Sequence, residues 1–145
     1  MTFARAALLA AIIAVPSTGV AQRSSVIPTG QTASPTLTPG IKVGDVVYAS
    51  GQLGVQADAP DSTIVGQTRR ALEKLKVVLE AGGSNMANVA KCTVFLVDVK
   101  DFAGMNGVYR EFFPKEPPAR STVVVAELVS APARVEIECI GAVVK

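Results

Sequence analysis

Residues 89–113 read VAKCTVFLVDVKDFAGMNGVYREFF, and the change of rhythm inside this stretch decides the fold. Residues 89–99 are a nearly continuous run of β-branched, aromatic and aliphatic side chains, which predicts a strand buried on both faces. From Asp101 the apolar spacing changes to three- and four-residue steps through Phe102, Met105, Tyr109 and Phe112. That period predicts a helix with Asp101 as its cap and Pro114 as its stop. Gly104 and Gly107 each weaken the helix by about 1 kcal/mol relative to alanine, so packing must hold it.

Working outward, a longer helix is predicted from Asp61 or Ser62 to the Gly82-Gly83 pair. Ile64, Thr68, Ala71, Leu72, Leu75, Val78 and Leu79 form its apolar face, and Arg69, Arg70, Lys74 and Glu80 lie off it. Residues 43–52 (VGDVVYASGQ) precede it as a strand ending in a Ser-Gly-Gln turn. Residues 121–126 and 135–144 are two further strands, the second alternating Val135, Ile137 and Cys139 against Glu136 and Glu138. The order β-α-β-α-β-β implies an α/β (α+β) domain with both helices on one face of a mixed sheet. The other face lacks cover, and a second subunit is the simplest cover.

The chain has 145 residues, 14 basic and 12 acidic side chains, two cysteines and no histidine. Without histidine there is no Ser-His-Asp or Cys-His unit. Two cysteines do not make a zinc cage. A net charge of +2, with no lysine or arginine run, excludes an electrostatic nucleic-acid binder. Residues 1–21 combine Arg5, an apolar run over residues 6–15 and a small-residue site before Gln22. This pattern predicts a signal peptide cleaved after Ala21, hence an exported protein, periplasmic or secreted, with no membrane association after cleavage; a retained anchor is the alternative, although the apolar run is short for a span. Residues 22–40, rich in Ser, Thr, Pro and Gly, are expected to be a flexible lead-in to a domain over 41–145.

Three places could carry chemistry. Pro117-Pro118-Ala119-Arg120 holds a guanidinium at the start of a strand, where its planar fork matches a carboxylate. An arginine there is otherwise an ordinary surface charge. Glu136 and Glu138 share one strand face by the period of two, and must be solvated, paired or at work. Asn106 and the Ser50-Gly51 turn are the third place, each unremarkable alone.

Taken together, VVYASGQLG (46–54), residues 91–113, PPARSTVVVAEL (117–128) and VEIECIGAV (135–143) resemble the Rid family, the YjgF-type reactive-intermediate deaminases. The resemblance implies a chorismate-mutase-like subunit in a barrel-like homotrimer with clefts between subunits. It implies hydrolysis of 2-imino acids or their enamines to 2-oxo acids and ammonia, with no cofactor and no metal. It further implies that Arg120 clamps the substrate carboxylate and Glu136 holds the attacking water. Ser50, Gly51, Asn106, Ser121 and Thr122 would line the cleft. Glu138 matches a second family acid without an assigned role. Leu37 stands where active deaminases of the family often carry a tyrosine, and Thr122 where a thiol often follows the Arg-Ser pair. A non-catalytic carboxylate-binding or regulatory trimer is the alternative; a ribonuclease or translation inhibitor fits the near-neutral charge poorly. Cys92 and Cys139 fall on strands that this fold sets side by side. Two buried thiols are expected, with a disulfide as the alternative.

Overall fold

The computed structural model describes residues 22–56 and 61–145. The expected signal peptide over 1–21 lies outside the described residues. The elements are β1 (Arg23–Val26), β2 (Gly40–Val43), β3 (Val46–Leu53), α1 (Ile64–Ala81), β4 (Val89–Leu96), α2 (Phe102–Phe112), β5 (Ala119–Val124) and β6 (Val135–Ala142). They build one mixed six-stranded sheet in the order β1-β2-β3-β6-β4-β5, in which only β4 and β5 run parallel. Two short 3-10 turns, Met86–Asn88 and Val99–Asp101, flank β4.

The helix periodicity is realised directly. Ala71, Leu72, Leu75, Val78 and Leu79 of α1 are buried, together with Met105 and Val108 of α2. They meet Val47, Cys92, Val94, Leu96, Val135 and Ile137 from one face of the sheet. Each fully buried aliphatic side chain contributes about 1.5–3 kcal/mol. That exceeds any helix-propensity difference, so packing rather than composition stabilises the glycine-bearing α2. Gly104 has a positive reason to be there: a Cβ at this site would stand 2.8 Å from Ile64 Cγ2, so the glycine permits the close approach of α2 to α1.

Several local expectations are corrected. The lead-in is not loose throughout, because Arg23–Val26 pairs with Gly40–Val43 and the sheet therefore begins well before Ile41. Serine-rich composition concealed this strand, which is short and exposed except at Val26. The strand expected over 43–52 is the second arm of a hairpin. The turn sits at Gly44-Asp45, where Gly44 takes φ 56°, a backbone conformation that favours glycine. The first helix is capped by Thr63, whose side chain accepts from the Gly66 N–H, while Asp61 accepts from the Thr63 N–H and hydroxyl. The strand at β4 ends at Leu96 rather than Val99, and within the chain it is buried on one face only. β5 begins and ends two residues earlier than expected, and β6 ends two residues earlier.

Asp101 does not cap α2 with its side chain. Its carboxylate, almost fully buried, is gripped by both Nε and Nη2 of Arg134 at 3.0 and 2.7 Å. This bidentate pair joins the start of α2 to the residue preceding β6, and no local sequence pattern links positions so far apart.

The two cysteines are likewise joined. Cys92 and Cys139 are direct register partners on β4 and β6, with Cα atoms 4.1 Å apart, and form a disulfide. Directly opposite residues on antiparallel strands lie within disulfide reach when their side chains share a face. Here both point into the helix-covered core. The other sheet face carries Tyr48, Lys91, Thr93, Phe95, Glu136, Glu138 and Ile140, and Tyr48 is 45% exposed.

Candidate functional site

The residues proposed from sequence fall into two groups on opposite faces of the sheet. The first group surrounds the end of β3. The pairing of β3 with β6 shifts register between Ala49 and Gln52, which puts Ser50 and Gly51 in a bulge. Glu136 of β6 lies across that bulge, and a Cβ on Gly51 would collide with its Oε1. Only glycine lets the carboxylate lie this close to the strand. The Ser50 hydroxyl is already used: it donates to the Thr38 carbonyl at 2.7 Å, while the Ser50 N–H donates to the Pro39 carbonyl at 2.9 Å. The segment containing Leu37 is thereby tied to the bulge, and Leu37 itself is 57% exposed.

Glu136 is half-buried and joins no ion pair among the described residues. Burial raises its carboxyl above the usual range, and the neighbouring charge of Glu138 adds to the rise. Both effects favour a carboxyl that can exchange a proton.

Two residues assigned only to the solvated side of α1 serve this group. Lys74 Nζ donates to the carbonyls of Leu53 and Val55 at 2.8 and 3.1 Å. Arg70 donates through Nε to the Gly54 carbonyl at 2.7 Å and through Nη2 to that of Asp61. Leu53 is the register partner of Glu136, so these cations hold the backbone facing the carboxylate. A lysine or arginine off the apolar stripe carries no sequence signal for such a role.

The second group lies between α2 and β5. Arg120 is the second residue of β5, in register with Cys92 and hence on the helix-covered side. Its Cζ lies over the Tyr109 ring, 4.6 Å from the centroid, and 5.9 Å from that of Phe102. Arg120 Nη1 donates to Met105 Sδ at 3.9 Å. No carboxylate pairs with Arg120 among the described residues. Arg120, Asn106, Tyr109, Pro117 and Pro118 line a recess of about 620 Å³. Thr122 is on the same strand face as Arg120, and its buried Oγ1 has no hydrogen-bond partner among the described residues. Ser121 pairs with Thr93 and projects from the opposite face.

Arg120 and Glu136 therefore do not meet within one chain. Their register rows are three residues apart and their strands two apart, which sets the Cα atoms roughly 14 Å apart, with the side chains on opposite faces. Within one chain the structure brings together Ser50, Gly51 and Glu136, and separately Asn106 and Arg120. Sequence reading missed Tyr109 as well as Arg70 and Lys74. The helical spacing of Tyr109 marks it as core, and nothing local shows that an arginine from a later strand lies on its ring.

Comparison with known proteins agrees with this architecture. The family described as Endoribonuclease L-PSP matches residues 19–143. A Dermatophagoides farinae protein named 2-iminobutanoate/2-iminopropanoate deaminase is 42% identical over 103 residues, 69% of this chain and 80% of that protein. The mitochondrial protein mmf2 of Schizosaccharomyces pombe is 41% identical over 105 residues, 70% of this chain and 83% of its own. The crystal structure of the E. coli YjgF gene product superposes with a TM-score of 0.74 at 30% identity, covering 82% of this chain and 98% of that one. With the fold, the motif order and the extent of these matches in agreement, the chain belongs to the Rid family of YjgF-type proteins.

Proposed function

We propose that the protein hydrolyses 2-imino acids, or their enamine tautomers, to 2-oxo acids and ammonia at clefts between the subunits of a homotrimer. The observation that carries this reading is Arg120: a guanidinium without a counter-ion among the described residues, held on an aromatic ring at the wall of a recess. Such a group is ready for a small carboxylate. The name of the mite relative supports the imino-acid class. The separation of Arg120 from Glu136, together with the uncovered sheet face, favours a cleft completed by a second copy.

In this reading Arg120 grips the substrate carboxylate and Asn106 supplies an amide beside it. Glu136 of the adjoining subunit takes a proton from water as the water oxygen bonds to the iminium carbon. That proton then passes to the nitrogen; as the C–N bond breaks, Glu136 takes the remaining hydroxyl proton and hands it to the departing ammonia, so that the 2-oxo acid and ammonium leave with Glu136 again ionised. An iminium carbon is already electrophilic, so orientation and one base suffice.

The test is the pH–rate profile of 2-oxo acid release from 2-iminopropanoate generated in situ. The wild-type protein is expected to accelerate release, with an acid limb above that of an ordinary glutamate. Glu138→Gln removes a like charge, eases ionisation of Glu136 and shifts that limb to lower pH. Rates equal with and without protein would overturn the deaminase reading; tight pyruvate binding without turnover would favour the carboxylate-binding alternative.

Export is part of the proposal. The disulfide supports an oxidising compartment, as the segment over 1–21 does. Mass spectrometry of the exported fraction should find a chain starting at Gln22. A full-length chain confined to the cytoplasm would contradict export.

A further inference from the structure

We propose that Tyr109 is a positioning residue, whose ring replaces a counter-ion in holding Arg120 ready for an incoming carboxylate. This rests on the reading of Arg120 as a carboxylate clamp and goes beyond it by naming what aims the clamp.

An arginine fixed by a carboxylate is neutralised, and its fork is occupied. An arginine held by an aromatic face keeps its charge, because the ring quadrupole attracts the cation without supplying an anion. Among the described residues the ring and hydrogen-bond partners of Arg120 are all neutral: the Tyr109 ring at 4.6 Å, the Phe102 ring at 5.9 Å and Met105 Sδ at 3.9 Å. The ring is itself rigidly seated. Tyr109 is only 4% exposed, and its ring packs on Phe113 with centroids 4.6 Å apart. Its position in α2 sets Met105 one turn earlier on the same face.

The ring carries this role, and the hydroxyl does not. Tyr109 Oη is buried and has no hydrogen-bond partner among the described residues. Burial pushes the phenol up to about 12 despite the opposing charge of Arg120, so the ring stays neutral across the physiological range. A face that remains neutral and electron-rich holds a cation at any working pH.

The experiment uses the full chain with sodium pyruvate as probe, read by nuclear magnetic resonance with ring-labelled tyrosine. The sequence has two tyrosines and no tryptophan, so Tyr48→Phe leaves Tyr109 as the single labelled ring. In that background pyruvate is expected to move the Tyr109 resonance, and Arg120→Ala to abolish the movement. Tyr109→Phe keeps the ring and is expected to bind pyruvate within about twofold of wild type. Tyr109→Leu removes the ring and is expected to weaken binding about tenfold at unchanged circular dichroism. Equal binding by folded Tyr109→Leu, or a Tyr109 resonance unmoved at saturating pyruvate, overturns the inference alone. If Tyr109→Leu does not fold, the resonance and the Tyr109→Phe result decide. Failure of the wild type to bind pyruvate overturns the clamp reading along with the inference.

Discussion

Arg120→Ala is expected to lower kcat/KM for 2-iminopropanoate by roughly 30- to several-thousand-fold, the equivalent of about 2–5 kcal/mol for removing one side of a desolvated, hydrogen-bonded charge pair. Its cost to the fold is much smaller. What the folded chain loses is the contact of the guanidinium with Tyr109, Phe102 and Met105, worth about 0.5–2 kcal/mol. The variant should therefore melt within a few degrees of wild type while turning over almost no substrate. Arg120→Lys should rescue little, because a point charge does not reproduce a planar fork seated on an aromatic ring. Steady-state kinetics beside a thermal melt checks both halves. Retention of wild-type kcat/KM by Arg120→Ala would remove the clamp from the mechanism.

The second large effect concerns stability. The Cys92–Cys139 disulfide joins residues 47 apart in sequence across the neighbouring strands β4 and β6. Loop-closure entropy alone gives about 4 kcal/mol for a loop of this size, and measured values for such bridges centre on about 2–4 kcal/mol. The double variant Cys92→Ala/Cys139→Ala should thus melt about 10 °C or more below the oxidised wild type, compared at equal chain concentration. Alanine is the appropriate replacement, since both positions lie in the apolar core and a serine hydroxyl would add a desolvation cost. Melting temperatures within a degree or two of each other would show that the bridge contributes nothing to stability. Arg120 lies in the same register row as the two cysteines, so the kinetics of the double variant also report whether the bridge helps to hold β5.

Much of the fold was legible because it is written in local periods. A 3.6-residue rhythm identified the buried face of α1 from Thr68 to Leu79 while missing the buried Gly66 and Gln67 and overstating the half-buried Ile64, and the alternation of Val135, Ile137 and Cys139 with Glu136 and Glu138 assigned both faces of β6. The motif order around Arg120, Asn106 and the Ser-Gly turn was enough to identify the family. Where local signals competed, tertiary partners won. Asp101 is a good cap by sequence, yet a bidentate arginine offers a buried carboxylate more than one backbone N–H does. The serine-rich segment before Val26 becomes a strand only because β2 presents an edge to it.

The site was legible as a set of residues, not as an arrangement. Side-chain type and spacing named Arg120 and Glu136 as the groups able to grip a carboxylate and hold a water. Which side of the sheet each occupies depends on strand register, a non-local property, and register sends them to opposite faces. Register also set Cys92 directly opposite Cys139, turning two expected thiols into a bridge, and placed Arg120 over a tyrosine that helical spacing marked only as core. Residues nearby in sequence announce their contacts through periodicity; residues brought together by strand pairing do so only once the sheet is assembled.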